Sequence, residues 1–499
     1  MSKSRSKNAI LNISFGFIAQ IGILILSFVG RRIFLKFLSV EYLGINGLYS
    51  NILTVLSLAE LGVDTAVLFS LYKPVAENNV ALVSSLIRYF RRIYRILAFA
   101  VFAFGISLIP FLKYFIQSEL SQFDLIIYYI LFLTNTVASY FVAHKVALLS
   151  AHQEQRIQKL VSLTSTLILQ ALHIVLLIIW KNYYVYIIAT VATTIINNII
   201  LGIICGKIHH NELNYQEKID FDKKPIYKRI YSTFLYKIGS VLVNSTDNIL
   251  ISILINTAAV GLYSNYYTVI IAIQGFISII TTSLISGIGN LSVTGDKKRQ
   301  HDIFNMLLLF YHFIGAVGFI GFSLLFNDVI TIWLGSQFVF NQLIVTIISF
   351  NFYLTNAISP VWMYREANGL FDKVKILMLI RAGVNLALSI ALGLIWGVFG
   401  IFLATTISLL TTGFWYEPKI LFSNVFLTSS RSYWRIQSKY FILSITSYLF
   451  SYFLMQLIPS GIAFLIVKMG LIIMVSSLIF LIFVLNSQEV KTIKSLIKR

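Results

Sequence analysis

The chain has 499 residues, 58% of them hydrophobic and only 12% charged. A water-soluble fold of that length has too little interior to hide so much apolar surface, so the composition excludes a soluble enzyme and predicts a polytopic membrane protein. The net charge of +20 invites a nucleic-acid partner, but the placement of the basic residues explains the charge without one.

The N-terminal stretch MSKSRSKNAILNISFGFIAQIGILILSFVGRRIF has the basic start and apolar run of a signal peptide. The run is too long, however, it carries Asn12 and Gln20, and no small-x-small cleavage site precedes Arg31. It reads as an uncleaved first transmembrane helix. About twenty apolar residues cross a bilayer as a helix. About fourteen such spans follow one another, roughly 9–37, 43–72, 93–115, 124–149, 160–180, 184–206, 230–255, 258–290, 303–327, 341–364, 376–396, 398–416, 440–458 and 460–485. The loops between them are short. Cys205 is the single cysteine, which excludes an intrachain disulfide; in its apolar run it reads as a small buried hydrophobe.

With the N-terminus placed in the cytoplasm, 31 of the 39 basic residues fall in inner loops, at inner helix ends or in the tail. The outer side keeps Arg31, Arg32, Lys36, Lys113 and Lys181, while Lys237, Arg381 and Lys468 lie within spans. This asymmetry predicts two cytoplasmic termini and an even number of spans in the plasma membrane. It assigns the positive charge to topology and to attraction for anionic membrane lipids.

The pentapeptide GLYSN occurs at 47–51 and again at 261–265. Both copies fall near the outer end of a span, the second and the eighth. Leu133-Thr134-Asn135 in the fourth span is echoed by Leu354-Thr355-Asn356 in the tenth at a similar offset. Two matches in register predict a parallel repeat with its axis along the membrane normal. The expected organisation is an N-lobe of six helices (1–206), a cytoplasmic linker (207–229), a C-lobe of six (230–416), and an interfacial segment with two further helices and a tail (417–499).

The stretches EYLGINGLYSNILTVLSLAELGVDTAVLFSLY (41–72) and NSTDNILISILINTAAVGLYSNYY (244–267) resemble the second helix and the seventh-to-eighth helix passage of the Wzx-like polysaccharide flippases. These form a branch of the multidrug/oligosaccharidyl-lipid/polysaccharide exporter superfamily. The resemblance covers nearly the whole chain. It implies two lobes rocking about a central cavity, and translocation of a polyprenyl-pyrophosphate-linked oligosaccharide from the inner to the outer leaflet. Partners implied are the lipid-linked oligosaccharide, membrane lipids, and polymerases and glycosyltransferases of the same pathway.

Charges inside spans are costly and each asks for a reason. Glu60 and Asp64 stand four apart, which places both carboxylates on one face of a continuous second helix. They are candidates for ion coupling, for a contact to sugar hydroxyls, or for a structural pair neutralised by a nearby cation. Asp247 in the seventh span, with Arg31 and Arg32 in the first, suggests an outer gate; snorkelling of the arginines to lipid phosphates is the plainer alternative. Lys237, Arg381, His144 and Lys145 occupy inner halves of spans and are the cations expected to meet a pyrophosphate, with anchoring at the interface as the alternative for Lys145 and Arg381. Arg88, Arg91, Arg92 and Arg95 form a basic stripe, read chiefly as a positive-inside anchor. His173 and His312 read as hydrogen-bonded packing residues. His209-His210 lacks cysteines and a helix-spaced third ligand, so no metal site is expected.

No Walker motif, H-E-x-x-H or nucleophile elbow is present, so neither a nucleotide motor nor a cofactor or enzymatic activity is expected. Two rivals remain. A drug/cation antiporter on the same plan would use an acidic or apolar pocket. A membrane-embedded polymerase or glycosyltransferase would carry a large outer loop, and none is seen. A purely structural subunit does not account for so many charges within spans.

Overall fold

A computed structural model describes residues 21–60, 62–217, 219–294, 297–459, 461–485 and 490. The first twelve residues of the first expected span and most of the basic tail lie outside the described residues. Among the described residues there is no strand. Hydrocarbon offers no partner for backbone N–H and C=O groups, and a helix satisfies them internally.

The helices follow the apolar spans. They are α1 (21–37), α2 (Val40–Leu56), α3 (Val63–Ala76), α4 (Val80–Ser107), α5 (Gln122–Ala151), α6 (Gln155–Trp180) and α7 (Tyr183–Ile208). Then come α8 (Lys224–Leu254), α9 (Thr257–Thr294), α10 (Lys297–Trp333), α11 (Gln342–Ala367), α12 (Phe371–Thr411), α13 (Arg431–Met455) and α14 (Ile462–Val484). Nine helical stretches among the described residues are long and apolar enough to cross a membrane. The helical segments are compatible with about fourteen spans, because α2 and α3 share one and α12 folds into two limbs at Gly397 (φ +59°). A side chain at that left-handed position is strained, and the sharp reversal falls between the expected spans 376–396 and 398–416.

Asparagines start several helices. The side chain of Asn79 accepts from Leu82 N–H at 3.0 Å, Asn182 from Tyr184 N–H at 2.7 Å, and Asn341 from Leu343 N–H at 2.9 Å. Helix α4 begins at Val80, well before the expected 93, so the arginine stripe lies within it.

Two compact units are distinguished: Met1–Val241 with Asn256–Gly261, and Leu242–Ile255 with Leu262–Arg499. In the first, α5 packs between α4 and α7, with Tyr129 and Leu133 fully buried. The opening turns of α2 and α9 also meet here. An ideal Cβ on Gly44 would lie 1.9 Å from the Thr257 carbonyl oxygen, and one on Gly261 would lie 2.1 Å from that of Val40. In the second unit α10 packs against α11, α13 and α14. His312 pairs there with the Tyr353 hydroxyl at 2.9 Å, and the intramembrane Lys468 donates to Asp328 at 3.4 Å.

Candidate functional site

The second expected span is not one helix. Its α2 limb ends in a 3-10 turn, Ser57–Glu60, and α3 starts at Val63. At the break the chain touches α8: a Cβ on Gly62 would lie 2.3 Å from the Ile230 carbonyl oxygen. Glu60 therefore closes one helical segment and Asp64 opens the next, which corrects the expectation of a single continuous face. The carboxylates remain neighbours. Glu60 lies within electrostatic reach of Asp64 and Lys237, and Asp64 accepts a hydrogen bond from the Tyr94 hydroxyl. The Tyr140 hydroxyl donates to Ser57 Oγ at 2.9 Å and also reaches Glu60. Lys237 Nζ donates to Thr65 Oγ1 at 3.4 Å. Three of the expected charges thus converge in a cluster with two tyrosines that carried no signal in the sequence.

A second cluster lies toward the C-terminal ends of α5 and α7. A pocket of about 180 Å³ is lined by Arg88 and Arg91 of α4, His144 and Lys145 of α5, Gly206 of α7, and Leu213 and Asn214 of the short helix His210–Asn214. None of its lining residues is acidic. His144 is only 4% exposed, and its Nδ1 has no hydrogen-bond partner. Arg88 is held in place: it donates to the Glu217 carbonyl at 2.6 Å and to that of Tyr215. The arginine stripe therefore divides: Arg88 and Arg91 line the pocket and Arg92 and Arg95 do not, although Arg91 is exposed as those two are.

Lys145 belongs to two cavities at once. It also lines a groove of about 730 Å³ between α4, α5 and α7, whose walls include Phe102, Phe141, Ile199 and Ile203. Those four side chains are 40–60% exposed. Lys145 Nζ donates to the Gly202 carbonyl at 3.0 Å. Gly202 and Gly206 lie one turn apart on α7, and a Cβ on Gly206 would meet nothing within 4 Å, so the absence of side chains there keeps the space open. The arrangement is amphiphilic, cationic at one end and hydrocarbon-like along its length. It suits an anion attached to an apolar chain.

The other expected residues stand elsewhere. Arg31 lies half-buried within electrostatic reach of Tyr186, and Arg32 is exposed. Asp247, in the second unit, accepts from Thr405 Oγ1 at 3.3 Å. Arg381 is buried close to the Arg365–Glu417 ion pair, where Trp362 Nε1 also donates to Glu417 at 3.2 Å. His173 hydrogen-bonds Thr190 Oγ1 at 3.0 Å and stacks on Tyr186.

The sequence matches the family described as polysaccharide biosynthesis protein over residues 9–285, more than half the chain. The chain belongs to that family. Among solved structures it is similar to a lipid II flippase MurJ in an inward closed conformation, with a TM-score of 0.70 at 16% identity, covering 95% of this chain and 98% of that one. It is also similar to an inward-facing multidrug resistance MATE-family transporter of the MOP superfamily (TM-score 0.60, 13% identity, 83% and 99% covered). A variant of the Vibrio cholerae MATE transporter VcmN matches with a TM-score of 0.55 at 14% identity, over 85% and 100% of the two chains. No curated protein sequence matches. These likenesses show the fold of the multidrug/oligosaccharidyl-lipid/polysaccharide exporter superfamily. Family membership, fold and apolar helices together make this a multi-pass membrane protein of the polysaccharide biosynthesis family.

Proposed function

We propose that the protein flips a polyprenyl-pyrophosphate-linked oligosaccharide from the inner to the outer leaflet of the plasma membrane, by alternating access of the lobes 1–206 and 230–416, for the assembly of a surface polysaccharide. The observation that carries this reading is the double position of Lys145. A pyrophosphate carries more charge than one cation balances, and the pocket offers Lys145, Arg88 and Arg91 together with the unpartnered His144 nitrogen. Beside it the apolar groove offers a path for a polyprenyl chain. In this reading the pocket is where the headgroup is first engaged, both termini are cytoplasmic, and Arg381 adds a cation in excess of Glu417 in the second unit.

The cluster of Glu60, Asp64 and Lys237 serves as the coupling site. A proton or cation taken up by the carboxylates alters their attraction for Lys237 and so biases the break between α2 and α3, which α8 touches at Gly62.

The test is reconstitution of the pure protein into vesicles with a fluorescent polyprenyl-pyrophosphate oligosaccharide, following leaflet exchange with and without a pH gradient. Exchange well above that of protein-free vesicles, lost when Lys145 and Arg91 are both replaced by alanine, is the expected result. Exchange no faster than in protein-free vesicles, or untouched by that replacement, overturns the proposal. The carboxylate pair is what favours the drug/cation antiporter instead; gradient-driven export of a cationic dye in place of lipid exchange would identify that activity.

A further inference from the structure

We infer that His152, His209 and Glu212 bind one divalent first-row transition ion, Zn²⁺ by preference, and that Glu154 orients His209 as a ligand. The residues come from two junctions between helices. His152 directly follows α5, Gln153 takes a left-handed conformation (φ 62°), and Glu154 leads into α6. His209 follows α7, and Glu212 lies three residues on, in the short helix His210–Asn214. The sequence alone gave no reason to join them, because His152 stands more than fifty positions away.

The separations have the scale of a coordination sphere. His152 Nε2 lies 3.0 and 3.1 Å from the two Glu212 carboxylate oxygens. His209 Nδ1 lies 3.2 Å from Glu212 Oε2. The ligand atoms of the three residues all lie within 4.8 Å of one another. Tetrahedral Zn²⁺ with ligands at about 2.0–2.2 Å sets its donors about 3.3 Å apart, close to the nitrogen–carboxylate separations found.

Hydrogen counting makes the same point. A neutral imidazole has one N–H and one lone pair. His209 faces carboxylate oxygens from both nitrogens, because its Nε2 lies 2.8 Å from Glu154 Oε2. With the proton directed at Glu154, the Nδ1 lone pair points at Glu212. A cation between His209 Nδ1, His152 Nε2 and Glu212 turns that repulsion into ligation. Glu154 then stands behind His209 as the carboxylate of a carboxylate–histidine–metal relay. Two imidazoles and a carboxylate suit Zn²⁺ better than Ca²⁺ or Mg²⁺. The rings of His152 and His209 stack with centroids 4.1 Å apart, and His209 is 8% exposed, so the cluster is packed and a turn of the rings suffices to bring both lone pairs onto one ion. The ion would clamp the turn between α5 and α6 to the segment carrying Leu213 and Asn214, which wall the basic pocket.

The experiment uses the full chain, purified through a tag without histidines and stripped with a chelator, then titrated with ZnCl₂ by calorimetry. One Zn²⁺ per chain is expected. Affinity should fall at least 100-fold in His152→Ala and about 10- to 100-fold in Glu154→Gln. It should be unchanged in His210→Ala, whose side chain is exposed. Zn²⁺ should raise the melting temperature of the wild-type protein and leave that of His152→Ala in place, a readout that does not depend on transport. The absence of saturable binding, binding that survives His152→Ala, or a wild-type melting temperature indifferent to Zn²⁺ and falling as pH rises, the mark of an imidazolium, overturns the site.

Discussion

Gly44 and Gly261 pack reciprocally: each sets its bare Cα against a backbone carbonyl of the other's helix, Gly44 against Thr257 and Gly261 against Val40. The contact is between the second and eighth expected spans, the pair in which the GLYSN repeat occurs. Small residues allow helices in a membrane to approach this closely. A Cβ at 1.9 or 2.1 Å from a carbonyl oxygen has no room without displacing the backbone. Gly44→Ala and Gly261→Ala are each expected to destabilise by about 1–3 kcal/mol or more. Thermal unfolding of the purified variants measures this, with Gly206→Ala, which meets nothing within 4 Å, as the neutral control.

Replacing Lys145 by methionine keeps most of the aliphatic stem in the groove and removes the charge from the pocket. A hydrogen bond to a charged group is worth about 1.5–3 kcal/mol, so affinity for the pyrophosphate lipid is expected to fall tenfold or more. The melting temperature should hardly change, because the interaction lost within the protein is one donation to a helix carbonyl. Equal losses in binding and stability would mark Lys145 as structural.

Glu60→Gln removes the carboxylate that faces Asp64 and Lys237. Leaflet exchange is expected to persist at equal pH and to lose its response to a pH gradient. Exchange assays at matched and unmatched pH separate the two effects. An unchanged response would leave these carboxylates without a part in coupling.

Glu417 is 2% exposed and holds Arg365, with Arg381 close behind. Glu417→Ala leaves two buried guanidinium groups without their carboxylate, which costs about 3–5 kcal/mol where a buried pair is broken. The folded yield and the melting temperature should fall sharply. Glu417→Gln, which keeps the shape and an acceptor for Trp362, should lose less.

The helices were legible because apolar length is a property of single segments. The spans on either side of Gly397 show this best, since the boundary lies in the sequence itself. The break at 57–62 was not legible, because no proline marks it and the α8 carbonyl that meets Gly62 comes from far along the chain. Charges within spans announced themselves by their cost, and Glu60, Asp64, Lys237, His144 and Lys145 were found that way. Their neutral companions, Tyr94, Tyr140 and Thr65, look like ordinary span residues until the fold brings them alongside. Arg91 was visible as part of a basic stripe, yet its role follows from which helix α4 packs against. The histidine–glutamate cluster required two junctions between helices to meet, and no local spacing encodes that.

The groove beside Lys145 is open along its flank, where Phe141, Ile199 and Ile203 stay uncovered. Any amphiphile with a flexible alkyl tail is thus a competitor for the same trough, including the surfactants used to extract such proteins. Affinities measured in micelles should accordingly run weaker than those in nanodiscs, and the gap should widen as surfactant concentration rises.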